Sequence, residues 1–389
     1  MVESEIEFKT PILFLVFNRL DETKKVFEQI KKIKPLNLYI ASDGARINKE
    51  GEYEIVNIIR QYLLENIDWN CNIQTLFRDN NLGCKDAVSG AITWFFQNEE
   101  QGIILEDDCL PSESFFMYCE TLLEYYKNDN RVGMISGFNK RGILENLNYD
   151  YFFTKFISIW GWATWRRAWN KYDKNLTTYV EFKELEMLRT FLSESNYERE
   201  SRKFNKVKYE NFDTWDYQWS YTMYIQNMLC IIPRKNMIKN IGFGDNATHT
   251  VGEDEYKHIE LYQESFNKII HPSYLLQSHI YDKCINRNSN FELSLLFNRF
   301  YDQLLDILNN NEKIIIYGKS RITKVFMSLF NYYNVRIYDN ETIKNLCQDD
   351  EYDIFVLMVL GREDKVLSSL RENSNIKKSK IFIFNLEEL

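Results

Sequence analysis

Ile103-Ile104-Leu105-Glu106-Asp107-Asp108 decides how the first half of this chain reads, because an apolar run ends there abruptly in three carboxylates. Three successive aliphatic residues suit a strand that is covered on both faces. Acids placed directly after such a strand lie at its carboxyl end with little water around them. Uncompensated, that crowding is costly, since desolvation and like charge both oppose ionisation. A divalent cation relieves it, because a hard cation takes carboxylate and phosphate oxygens together. The competing reading is a solvated acidic turn or a helix N-terminus, where carboxylates favour the dipole. The strand in front, with Pro111 and a helical pattern behind, favours the cation-binding reading.

Upstream of the triplet, apolar runs alternate with amphipathic helical patterns. A strand over 11–17 precedes a helix over 21–32, for which Asp21 is a candidate N-cap. A strand over 38–41 ends in Ser42-Asp43-Gly44 and precedes a helix over 53–65. A strand over 72–77, a helix over 85–97 and a strand over 102–105 complete a βαβαβαβ series. Such a series implies a largely parallel sheet with helices on both faces. Ligands of these sheets bind beyond the carboxyl ends of the strands. Asn18-Arg19, Asp43-Gly44 and the acidic triplet all occupy such ends.

Downstream, a helix over 113–126 and a strand over 131–136 lead into a Trp- and Tyr-rich stretch over 151–241, with helices near 180–193 and 216–228. Residues 253–310 read as a mainly helical connector. Glu312 then opens a second α/β series with strands over 313–317, 335–338, 352–360 and 380–384. The expected organisation is a large α/β domain over 1–252, the connector over 253–310 and a small Rossmann-like α/β domain over 311–389.

Composition narrows the function class. With 44% apolar and 15% aromatic residues, the chain of 389 residues has the make-up of a folded protein. A formal charge of -9 and a pI near 5.3 exclude nucleic acid as the main partner, which would need clustered Lys and Arg. No apolar run approaches the roughly 18 residues that span a bilayer. Seven cysteines form no CxxC pair, which suits reduced thiols and leaves cysteine-ligated zinc unsupported. The expectation is a soluble, cytoplasmic protein, at most peripherally attached to the inner face of the plasma membrane.

Several segments together resemble, in order, the N-acetylglucosaminyltransferase I type of GT-A glycosyltransferase and its bacterial relatives in polysaccharide synthesis. They are Pro11-Ile12-Leu13 through Phe17-Asn18-Arg19, Ser42-Asp43-Gly44, Ile104 to Asp108, Trp160-Gly161-Trp162-Ala163-Thr164-Trp165, Trp215-Asp216 and Asn240-Ile241-Gly242-Phe243-Gly244. Asn81-Leu82-Gly83-Cys84 and Ala247-Thr248-His249 are typical of the bacterial relatives. The likeness covers most of residues 10–255. It implies a GT-A domain, a nucleotide-diphospho-sugar transferase fold with a Rossmann-like mixed sheet. It also implies inverting, metal-dependent transfer from a UDP-sugar, UDP-GlcNAc among the candidates, to a glycan or lipid-linked glycan.

Residue by residue, the resemblance implies that Asp108 ligates Mn²⁺ or Mg²⁺ while Glu106 and Asp107 contact the donor's sugar and ribose. Arg19 and Asp43 would hold the base, uracil in the family. The loop with Gly161 and Trp162 would border donor sugar and acceptor, and Asp216 would be the catalytic base. The chain departs from the animal enzyme in the helix after Lys85, which lacks matching basic and His residues, so the donor sugar is not specified.

Each of these positions also has a plainer reading. The Trp160–Trp165 stretch could be aromatic core, although Gly161 permits close backbone approach and flat indoles suit sugar faces. Asp213 and Asp216 could cap the helix that follows them, although an aromatic setting can raise a carboxyl pKa and make it a usable base. His249, near Gly242 and Gly244, is a candidate metal or phosphate ligand, or a surface side chain. In the last domain, Gly318-Lys319-Ser320 after a strand, with Asp339 beyond, resembles a dinucleotide-binding turn. GxGxxG is absent, however, and a Rossmann-like module kept for packing or partner contact is the favoured reading.

Two other function classes stay open. A sugar-1-phosphate nucleotidyltransferase would carry a Gly-rich basic loop after the first strand, and Asn18-Arg19-Leu20 is no such loop. A non-catalytic carbohydrate-binding or scaffold protein would keep the fold with a decayed site, which the intact triplet and Trp215-Asp216 oppose.

Overall fold

The computed structural model describes residues 7–242 except 146, 191 and 193, then 256, 258–263 and 268–285, and four strands at 313–317, 334–338, 354–357 and 381–383. The chain divides into two units, Met1–Asn286 and Arg287–Leu389.

In the first unit, β1 (Ile12–Val16), β2 (Asn37–Ser42), β3 (Asn72–Phe77) and β4 (Gln101–Glu106) pair in parallel. The crossovers are α1 (Leu20–Ile33), α2 (Glu52–Asn66) and α3 (Gly83–Asn98). Every residue of β1 is buried, which is why its sequence is uninterrupted Ile-Leu-Phe-Leu-Val. β3 is the edge strand and half-exposed, so it tolerates Asn72, Gln74 and Thr75.

The chain continues through β5 (Cys109–Pro111), α4 (Glu113–Tyr125), β6 (Val132–Ser136), β7 (Tyr151–Thr154), β8 (Trp162–Trp165), α5 (Arg166–Trp169) and α6 (Tyr179–Glu184). Then come α7 (Glu194–Glu210), α8 (Asp216–Ile225), β9 (Leu229–Pro233) and β10 (Ile238–Asn240). The main sheet has eight strands in the order β3-β2-β1-β4-β8-β6-β9-β7. β8 is antiparallel to both β4 and β6, while β9 is parallel to β6. The result is the mixed, Rossmann-like sheet that the sequence leads one to expect. A separate two-stranded ribbon joins β5 to β10.

Some local expectations are corrected. Asp21 is not the N-cap of α1; Arg19 holds that place, and Asp21 sits in the first turn, where its charge still favours the dipole. The helix expected over 180–193 breaks into α6 and a 3₁₀ turn, Met187–Thr190, with Glu186 between them at φ 51°. α7 was not foreseen. Its sequence is densely charged, and its buried residues Phe204 and Val207 pack in a cluster with Tyr179 and Tyr221.

The described part of 256–285 runs as an extended strap across the first unit and ends in α9 (His279–Ile285). Ile259, Ile269 and Tyr281 are buried. The His271 ring stacks on Tyr125 at 3.9 Å, and its Nδ1 lies 2.8 Å from the Tyr151 hydroxyl. Ser278 N–H donates to the Phe153 carbonyl at 2.7 Å. Asp282 accepts the Thr154 hydroxyl, and burial pushes its carboxyl pKa up to about 7, against about 4 in an unfolded chain.

A folded pKa raised in this way contributes stability at low pH that is lost as pH climbs through it. The Asp282→Asn variant is therefore expected to gain melting temperature relative to wild type on going from pH 5 to pH 8. Equal differences at the two pH values would contradict this.

In the second unit, β11 (Lys313–Tyr317), β12 (Asn334–Tyr338), β13 (Ile354–Leu357) and β14 (Ile381–Ile383) form a parallel sheet in the order β12-β11-β13-β14. These match the four expected strands. Gly318, Ser320 and Asp339 lie outside the described residues. No helix among the described residues is long and apolar enough to cross a membrane.

Candidate functional site

β1 lies between β2 and β4, so the crossover leaving β1 goes to one side while β4 flanks it on the other. That reversal opens a crevice at the carboxyl ends of β1 and β4. Leu15 pairs with Glu106, which places the Phe17-Asn18-Arg19 turn beside the acidic triplet. Phe17 N–H donates to Asp107 Oδ2 at 3.0 Å, and the Arg19 guanidinium forms an ion pair with Asp108. The other Asp108 oxygen receives the Cys109 thiol at 3.4 Å. The β5–β10 ribbon brings Ile241 N–H to the Asp108 carbonyl at 2.8 Å. Gly242 follows, and a Cβ there would overlap both Asp108 Oδ2 and Arg19 Nη1, so a larger residue would have to displace the Arg19–Asp108 pair.

Three carboxylates face one guanidinium, and the imbalance shows in their protonation. Burial first, then the charges of Asp108, Asp107 and Asp216, raise the Glu106 pKa well above the ordinary value. Asp107 is raised by burial and by Asp108, against the pull of Arg19. Glu106 Oε1 is buried with no hydrogen-bond partner among the described residues. A carboxylate oxygen without a partner in an over-charged cluster has the chemistry to take a cation. Among the described residues, no three His, Cys, Asp or Glu side chains already converge as a metal cage.

Asp216 opens α8 and comes close enough to Glu106 to raise its pKa. Its own pKa is raised by burial, and its carboxylate accepts the Thr214 hydroxyl. It does not act as an N-cap, since Trp215 holds that position and no side chain bonds there. Tyr172 and Cys84 share this surrounding, each with its pKa raised by burial and by the Asp216 charge.

The remaining acids fix loops. Asp43 accepts Leu82 N–H at 2.9 Å, Gly83 N–H at 3.2 Å and Asn81 Nδ2 at 3.0 Å, which ties the end of β2 to the start of α3. Asp213 caps a helix, but not the one after it: it accepts Cys84 N–H at 2.9 Å and Lys85 N–H at 2.7 Å, at the start of α3. Local sequence could not show a bond across 129 residues. Buried Glu52 was also missed. It accepts Asn18 Nδ2 at 2.8 Å, and the Arg46 guanidinium helps hold its pKa down to about 2.

Trp162, expected at the donor, is a core residue instead. It has no exposed surface, stacks on Trp215 at 5.6 Å and packs near Trp169 and Trp219. A fully covered indole offers no face to a sugar. Gly161 has φ +58°, and a Cβ there would overlap Ile238 Cδ1. Its identity is thus required for closing the Trp160–Trp162 turn over β10. Gly161→Ala is expected to destabilise the protein by about 1–3 kcal/mol in denaturant unfolding, through overpacking and backbone strain together. A loss below a few tenths would contradict that packing. His249 lies outside the described residues.

No protein-family model matches this chain, and no curated protein does. Several solved structures match part of it. A mannosyltransferase, PcManGT from Pyrobaculum calidifontis in complex with GDP-Man and Mn²⁺, aligns at 13% identity and TM-score 0.30 over 41% of this chain and 45% of its own. HddC from Yersinia pseudotuberculosis aligns at 9% identity and TM-score 0.27 over 44% of this chain and 84% of its own. A cytidylyltransferase from Leptospira borgpetersenii aligns at 9% identity and TM-score 0.26 over 43% of this chain and 64% of its own. The match thus spans less than half of the mannosyltransferase, and values this low assign no donor, metal or acceptor to this chain.

Proposed function

We propose that this chain is an inverting, metal-dependent glycosyltransferase that takes a nucleotide-sugar, a UDP-sugar by the family resemblance, at the acidic edge of its first sheet. The observation that carries the reading is the crowding of Glu106, Asp107 and Asp108 against a single guanidinium, with Asp216 brought to Glu106 from α8. Three carboxylates and one guanidinium leave two negative charges, which one divalent cation balances. Asp108 would hold it, with the donor's phosphates supplying further oxygens. Bound there, Mn²⁺ or Mg²⁺ would neutralise charge growing on the departing nucleoside diphosphate.

The chain's own groups then divide the remaining work. Arg19 and Asp43, at the ends of neighbouring strands, face the nucleotide; Asp43 Oδ1, which accepts one bond, keeps capacity for another. Glu106 and Asp107 orient the ribose and sugar. Asp216 takes the proton of the acceptor hydroxyl on the side away from the leaving diphosphate. With no carboxylate nucleophile, a single displacement converts an α-linked donor into a β-linked product.

Release of UDP from a panel of UDP-sugars, with and without Mn²⁺, tests this reading. Turnover of at least one donor, lost on chelation, is expected. If no UDP-sugar is consumed under either condition, the proposal fails.

A further inference from the structure

A cavity of about 1010 Å³ opens in the first unit away from the carboxylates, lined among others by Arg141, Tyr149, Glu260, Tyr262, Tyr274 and Leu276. The topology fixes its place. β6 and β9 run in the direction of β4, because β8 is antiparallel to β4 and to β6. The chain leaving β6 and the chain entering β7, which carry Arg141 and Tyr149, therefore emerge on the sheet edge that carries Glu106 to Asp108. The strap supplies the opposite wall. An aromatic cluster lies at the same sheet edge: Phe138, which follows β6, lies 4.5 Å from Trp160, and Tyr256 lies 5.6 Å from Trp160. Trp160 in turn precedes Gly161, which packs over Ile238 and Leu105 behind the triplet.

We infer that this cavity is a glycan-binding subsite, which holds an acceptor chain several rings away from the hydroxyl that reacts. Its role as an acceptor subsite rests on the transferase reading above; its affinity for glycans does not. Three tyrosines and Leu276 offer flat or apolar surface to the C–H faces of pyranose rings. Arg141 and Glu260 add planar groups able to hydrogen-bond neighbouring hydroxyls. Pockets for single small molecules span roughly 300–1,000 Å³. This cavity is at the top of that range, which suits several rings better than one. Tyr274 and Leu276 are 47% and 69% exposed, which leaves their surface open to a ligand. The Tyr149 and Tyr274 hydroxyls meet at 2.7 Å, holding one wall and the strap in register. Oligosaccharide binding needs no net charge, in keeping with the acidic chain.

The test is binding of the full-length protein, without nucleotide, to an array of immobilised glycans, alongside phosphatidylglycerol vesicles. Retention of oligosaccharides is expected, weakened about tenfold in Tyr274→Ala and in Glu260→Gln, the loss of one good contact. Both side chains are exposed, and unfolding at the wild-type temperature confirms that the variants keep the fold. A blank array, retention equal in wild type and variants, or vesicle binding lost in Tyr274→Ala would each overturn the inference. Because the array holds no donor, its outcome is separable from UDP release. Glycan binding without donor turnover would sink the transferase reading and leave the subsite standing, and turnover with a blank array would do the reverse.

Discussion

Replacing Asp108 by Ala is expected to abolish the cation dependence of donor binding while leaving the protein folded. Asp108 is partly open, with side-chain exposure of 15%, whereas Asp107 is buried and bonded to Phe17 N–H. Loss of even an outer-shell partner of a metal ligand costs roughly 10- to 100-fold in affinity. Loss of the ligand itself should reach or exceed the upper figure. Calorimetric titration of UDP-sugar in Mn²⁺ measures it directly. Asp108→Asn separates the roles, because an amide oxygen can still accept from Arg19 but is a poor substitute for a charged ligand. If Asn restores Mn²⁺-dependent binding, the ion pair and not the cation explains Asp108, and the metal assignment falls.

Asp216→Asn should lower kcat by ~10² to 10⁴, the usual contribution of a general base, with donor affinity nearly intact. Its raised pKa makes the carboxylate a stronger base than an exposed aspartate, and catalysis requires the ionised form. Activity of the wild type should therefore climb with pH through that pKa, and the climb should disappear in Asn. The amide can still accept the Thr214 hydroxyl, so a merely structural role would be preserved. A variant with near-normal kcat, or an α-linked product from an α-linked donor, would contradict the proposed mechanism.

The centre of the parallel half of the sheet was legible because β1 and most of β4 are sealed on both faces. β1 and the Ile103–Leu105 stretch of β4 had to be apolar runs, which puts the polar residues that end them at the carboxyl edge of the sheet. The apolar runs over 313–317, 335–338, 352–360 and 380–384 likewise mark the four strands of the second unit. This pattern failed where burial comes from distant chain. β8 reads as part of an aromatic loop because Trp160 and Gly161 precede it without a strand-like run, yet Trp162 and Ala163 register against Ile104 and Ile103. The described part of 256–285 reads as a helical connector, yet residues 268–278 run without helix and are held by contacts such as His271 with Tyr125 and Ser278 with Phe153. At the site, the triplet and Asp216 were legible as charge placed among apolar or aromatic residues. The Arg19–Asp108 pair and the cap that Asp213 places on α3 were not, because both are long-range and side-chain specific.

Thermal unfolding with a panel of nucleotide-sugars, each with and without Mn²⁺, bears most directly on the claim that the acidic edge is a cation-bridged donor site. A ligand at 100 times its Kd adds roughly 2.7 kcal/mol of stability. Stabilisation by a UDP-sugar only when Mn²⁺ is present, and absent in Asp108→Ala, is the predicted result. Stabilisation by a nucleoside triphosphate with sugar-1-phosphate instead, or by no nucleotide-sugar under either condition, would contradict it.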